Sequence, residues 1–95
     1  MRRPSQLRLY VAQGTPNSVR AEQNLRTALD EMVRADAPLR LEVIEVSTHV
    51  KLALSDGVIV TPTLIGRRRD ERFTILGDLS DEPKLRLFLG TICES

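Results

Sequence analysis

LRLYVAQGTPNS, residues 7–18, is the stretch on which the fold turns. Leu7 to Ala12 is a short apolar run of β-formers and reads as a strand, which Gln13-Gly14 ends. Thr15-Pro16 reads as an N-cap followed by proline at the first helical position, where the missing N–H costs nothing. Beyond it Ala21, Leu25, Ala28, Leu29 and Met32 fall at helical spacing, with Arg20, Glu22, Arg26 and Asp30 between them. The first helix ends near Val33 or Arg34, and Asp36-Ala37-Pro38 is expected to turn the chain.

The same reading extends to the C-terminus. Leu39 to Val46 is a second strand, and Ser47 or Thr48 caps a short second helix through Val50, Leu52, Ala53 and Leu54. Ser55-Asp56-Gly57 closes that helix. Val58-Ile59-Val60 is expected as strand three, running into Thr61-Pro62-Thr63-Leu64-Ile65. Gly66 to Arg72 is polar and hairpin-like, and Phe73 to Leu76 is strand four. Gly77-Asp78-Leu79-Ser80 leads into a last helix, with Ser80 as N-cap and Asp81 and Glu82 suiting the helix dipole. Leu85, Leu87, Phe88, Leu89 and Ile92 supply its apolar residues. Leu9, Val11, Leu25, Leu29, Val43, Ile59, Leu64, Leu87 and Phe88 are expected to be mostly buried.

The order is β-α-β-α-β-β-α, a parallel βαβ unit followed by a hairpin and a helix. The implied fold class is α/β and thioredoxin-like: a four-stranded mixed sheet with helices on both faces. At 95 residues the chain makes a single domain spanning 1–95.

Composition excludes several classes of function. With 14 Lys+Arg against 13 Asp+Glu, there is no long-range pull toward nucleic acid or anionic lipid. Aromatic residues are too sparse for base-stacking platforms. No stretch approaches the roughly 20 apolar residues of a membrane span, and Met1-Arg2-Arg3-Pro4 does not begin a signal peptide. The expected compartment is the cytoplasm. Cys93 is the one cysteine, so no internal disulfide forms, and it reads as a small, partly buried hydrophobe. His49 has no ligating residues near it in sequence and reads as surface polar rather than metal-binding. Gly14-Thr15-Pro16-Asn17 carries a single glycine and is not a phosphate loop. No catalytic, cofactor or metal residues are assigned. Arg67-Arg68-Arg69 is the densest basic cluster, a solvated hairpin tip or an electrostatic contact for an acidic partner.

LRLYVA, TPNSVRA, the VIEV strand, TPTL and ILGDLSD, in this order and spacing, resemble the KaiB family of small clock proteins over about Leu7 to Leu89. The resemblance implies a non-enzymatic regulator that binds a KaiC-type ATPase and modulates its phosphorylation or signalling state. It also allows a histidine kinase as partner, in the manner of the KaiB-like input domains of such kinases, and a homodimer or tetramer. The motif residues carried over are Thr15, Pro16, Asn17, Ser18, Pro62, Gly77 and Asp78. Thr61-Pro62 matches the position of the thioredoxin cis-proline. Where a redox thioredoxin carries Cys-x-x-Cys, this chain has Thr15-Pro16-Asn17-Ser18, and a hydroxyl cannot form the thiolate of disulfide exchange. A thioredoxin-family redox role is the disfavoured alternative. Asp78 is expected to serve a turn or cap. Partner contacts are expected at Arg8, Arg20 and Lys51, with Arg67, Arg68 and Arg69 as a secondary patch; Arg8 and Arg20 match basic positions of the family pattern.

The chain departs from the family where the proline run after TPTL is replaced by Arg67 to Glu71, and at Phe88 and Gly90 of the last helix. It also has His49-Val50 for the usual Asn-Pro, an insertion near Asp36 to Pro38, and Glu42 where a basic residue is frequent. Some family members exchange a tetrameric fold for the thioredoxin-like one. The departures lie largely in the half that refolds, so this chain is expected to rest in the thioredoxin-like state.

Overall fold

In the computed structural model, which describes residues 5–34 and 38–93, β1 (Ser5–Val11) runs directly into α1 (Pro16–Met32). β2 (Leu39–Glu45) follows, then a 3-10 turn at Val46–Thr48 and the short α2 (Val50–Ser55). β3 (Thr63–Arg68), β4 (Glu71–Leu76) and α3 (Glu82–Cys93) complete the chain. The expected turn residues Asp36 and Ala37 lie outside the described residues, as does Met1-Arg2-Arg3-Pro4.

The sheet order is β2-β1-β3-β4. β1 pairs in parallel with β2 from Ser5↔Leu39 to Val11↔Glu45 and antiparallel with β3, and β3 pairs antiparallel with β4. The fold is therefore the mixed four-stranded, thioredoxin-like arrangement anticipated. The central strand alternates its side chains between two cores. Leu7, Leu9 and Val11 meet Ala21, Leu25 and Ala28 of α1 and Leu85, Leu89 and Ile92 of α3. Tyr10 points the other way, with Ile44 and Ile65, onto Ala53 of α2. Gly66 lets α3 approach: a Cβ built there would sit 2.7 Å from Ile92 Cδ1 and 3.0 Å from Phe88 Cζ.

Several local expectations are corrected. Val58-Ile59-Val60 is not a strand. The antiparallel ladder begins at Tyr10↔Thr63, and the next position along belongs to Pro62, which has no N–H to donate. Ile59 is consequently 94% exposed rather than buried. Gly66, Arg67 and Arg68 are not hairpin tip but strand, paired with Phe73, Arg72 and Glu71; Arg69, at φ 57°, is in the turn. Leu87 is 76% exposed, because it lies opposite the stripe of Leu85, Leu89 and Ile92 on α3. Val43 is 36% exposed, on an edge strand. Leu29 and Phe88 are half-buried at the margin of the core. The α3 cap is Asp81, not Ser80: its carboxylate accepts the Lys84 N–H at 3.2 Å and its carbonyl the Leu85 N–H at 3.0 Å. His49, not Ser47 or Thr48, is the N-cap of α2.

Candidate protein-binding surface

The turn between β1 and α1 is braced by two hydroxyls, those of Thr15 and Ser18. Thr15 Oγ1 donates to the Ala12 carbonyl at 2.8 Å, and the buried Ser18 Oγ accepts the Ala12 N–H at 3.0 Å. Thr15 makes no side-chain cap to α1, although Pro16 opens that helix as expected. Both hydroxyls are spent on the backbone, which suits a rigid turn rather than a nucleophile.

Three motifs distant in sequence meet beside this turn. Arg20 Nη2 donates to Asn17 Oδ1 at 3.0 Å, and its Nε lies 3.6 Å from Asp78 Oδ2. Asn24 Nδ2 donates to the Asp78 carbonyl at 2.9 Å, so α1 holds the GDLS turn at two points. The Gly77 N–H in turn donates to the Pro62 carbonyl at 3.1 Å, and the Thr61–Pro62 peptide bond is cis, as the thioredoxin match implied. Gly77 takes φ 99°, which favours glycine. The Asp78 carboxylate also accepts the Ser80 N–H at 3.0 Å; hydrogen bonding from Ser80, with Arg20 nearby, lowers its pKa. Asp78 thus serves the turn role expected. Hydrogen bonds and the Arg20–Asp78 ion pair thus join TPNS, GDLS and TPTL into one strip, on which Arg20 is exposed.

The other predicted basic residues divide. Lys51 is exposed on α2, and Arg69 is exposed at the β3–β4 turn. Arg8 and Arg67 turn instead toward Asp56, at the C-terminal end of α2. Arg8 Nη1 donates to Asp56 Oδ2 at 2.9 Å, and Arg67 Nη2 to Asp56 Oδ1 at 2.7 Å. Tyr10 donates its phenol to the same carboxylate, and Arg72 donates to the Asp56 carbonyl. Asp56 is 4% exposed. Burial by itself would raise its pKa, but the hydrogen bonds from Tyr10, Arg67 and Arg8 outweigh it and bring it down to about 2. Burial and the Asp56 contact push the Tyr10 phenol up.

This buried carboxylate was missed in the sequence, where Ser55-Asp56-Gly57 reads only as a helix stop. The available signal was Arg8 and Tyr10 on one face of a strand otherwise apolar, which calls for a buried counter-charge. Arg68 is half-exposed on β3. Cys93 is half-buried, and burial raises its thiol pKa. His49 is exposed, its Nδ1 3.1 Å from the Glu45 carbonyl. Among the described residues no cluster of His, Cys, Asp or Glu is arranged to hold a metal, and no helix is long and apolar enough to cross a membrane.

The geometry has wide company among solved structures. The N-terminal domain of Synechococcus elongatus SasA superposes with TM-score 0.76 at 23% identity, covering 100% of this chain and 89% of that one. A thioredoxin from Trypanosoma brucei brucei superposes with TM-score 0.77 at 14% identity, over 99% and 79%. These likenesses establish the fold. In sequence, the chain is 40% identical over 88 residues to the circadian clock oscillator protein KaiB of Microcystis aeruginosa, covering 93% of this chain and 83% of that protein. It is 40% identical over 86 residues to the KaiB of Synechococcus elongatus, covering 90% and 82%. The KaiB domain family model matches residues 8–91. On its fold, its three joined motifs and these matches, the chain belongs to the KaiB family.

Proposed function

We propose that this protein is a non-enzymatic clock or regulatory factor that binds a KaiC-type ATPase and alters its phosphorylation or signalling state. The observation that carries this reading is the strip joining TPNS, TPTL and GDLS, with hydroxyls bound to backbone where redox relatives of the fold carry thiols. A turn of that kind retains the shape of a protein-recognition surface and lacks the chemistry of disulfide exchange. Arg20 supplies an exposed cation on the strip, and Lys51 and Arg69 supply further ones. Arg8 and Arg67 are committed to Asp56, so their part in binding is to hold the scaffold.

The test is a titration of the purified chain against a KaiC-type ATPase, read by biolayer interferometry, with the phosphorylation state of the ATPase followed in parallel. Saturable binding is expected. Arg20→Glu is expected to weaken it about tenfold and to change its salt dependence. No binding, or affinity at low salt unaffected by Arg20→Glu, would count against the reading.

A further inference from the structure

β2 forms one edge of the sheet, with β1 on its inner side only. The outward backbone groups of such a strand are a template for another strand. Its side chains alternate without a break. Leu39, Leu41 and Val43 share the face that carries α1 and α3, while Arg40 and Glu42 share the opposite face. Leu39 and Leu41 are only half-buried, and Val43 is exposed. Arg40 is exposed and has no ion-pair partner among the described residues, and Glu42 keeps 45% of its side chain exposed beside Arg8.

We propose that β2 pairs antiparallel with β2 of a second copy of this chain, centred on Leu41, joining the two sheets edge to edge in a reversible dimer. In a two-fold antiparallel pair, opposed residues share a face, so the registers that match apolar to apolar are those centred on one residue. Centring on Leu41 sets Leu39 against Val43 and Arg40 against Glu42, each twice by symmetry. Centring on Arg40 or Glu42 sets a like charge against itself, and centring on Val43 sets Glu42 against Ile44. One register alone is therefore complementary on both faces. The other edge has no such register. On β4, Arg72 shares its face with Thr74 and Leu76, and Glu71 shares the opposite face with Phe73 and Ile75, so no opposite charges meet. The second copy is thus the occupant that the charge pattern fits. A pairing of about five residues falls below the size of a stable interface, so the dimer is weak and concentration-dependent.

Sedimentation velocity from micromolar to millimolar protein, at low and high salt, tests this. Self-association is expected in the upper micromolar range and is expected to weaken with salt. Arg40→Glu and Glu42→Arg are each expected to weaken it about tenfold, since each turns two attractive cross-strand pairs into repulsive ones. The double exchange is expected to restore it. An equimolar mixture of the two single variants is expected to associate more tightly than either alone. Arg40→Ala, on an exposed position, reads the same pairing should a reversed variant fail to fold. A monomer throughout the range, with the charges then only shielding the edge, would overturn the proposal. So would a dimer indifferent to all these changes.

Discussion

Arg67 Nη2 lies 2.7 Å from Asp56 Oδ1, tying β3 to the residue that ends α2. Arg8 reaches the same carboxylate from β1, so the two halves of the chain share one buried anion. Removing it leaves two guanidiniums without their acceptor. Because Arg8 and Arg67 keep some access to water, Asp56→Ala is expected to cost about 2–3 kcal/mol rather than the larger loss of a fully buried pair. Urea unfolding followed by circular dichroism measures it; a change under about 0.5 kcal/mol would show the cluster to be incidental.

Acid should expose the same anchor. The folded pKa of Asp56 is about 2, below its ordinary 3.8. A depressed folded pKa means that the unfolded chain binds more protons in this interval, so the stabilisation is complete above pH 4 and is lost as pH falls toward 2. Its size is about 2 kcal/mol. Urea midpoints between pH 5 and pH 2.5 should fall more steeply for the native sequence than for Asp56→Asn. Parallel slopes would refute the assignment.

Gly66 is required by α3. A methyl group there meets Ile92, which is fully buried and has nowhere to move. Gly66→Ala is expected to destabilise by about 1–3 kcal/mol. Combining it with Ile92→Ala should cost less than the sum of the two single changes, because the smaller side chain relieves the overlap. Strict additivity in the double-mutant cycle would argue that the helix simply shifts.

Redox chemistry is expected to be absent. Thr15 and Ser18 are bound to the backbone, and the Cys93 thiol is half-buried with a raised pKa. In an insulin-reduction assay with dithiothreitol, turnover should match the protein-free control. Alkylation of Cys93 should be slow at neutral pH and should leave partner binding intact; rapid modification would contradict the raised thiol pKa.

Binding to a KaiC-type ATPase is expected to proceed in one phase, without a slow conversion. Arg67 and Arg68 take ladder positions opposite Arg72 and Glu71 and keep the backbone N–H groups that prolines would lack. Phe88 packs at the margin of the core beside Gly66. Stopped-flow binding and solution NMR examine this directly. A tetramer with different secondary structure after β2, converting over hours, would show that another fold competes.

The element order was legible in the sequence because it depends on neighbours: Thr15-Pro16 opens a helix, Leu25 and Ala28 recur at its period, and Leu7, Leu9 and Val11 alternate along a strand. The family motifs were legible for the same reason, being short and contiguous. Their meeting was not: Arg20 and Asp78 lie 58 positions apart in the numbering and become neighbours only when α1 packs beside the last turn. Strand limits were beyond local reading too, since Val58-Ile59-Val60 has β-forming side chains and lacks only a strand to pair with. Likewise the exposed side of α3 was assigned by apolar content, which counts Leu87, whereas the packed helix buries one stripe and leaves Leu87 in water. The sequence by itself determined the order of elements, the family and the lack of paired thiols. Only the tertiary structure decided which arginines are free: Asp56 is buried, a buried carboxylate needs cations, and Arg8 and Arg67 are the ones the sheet brings to it.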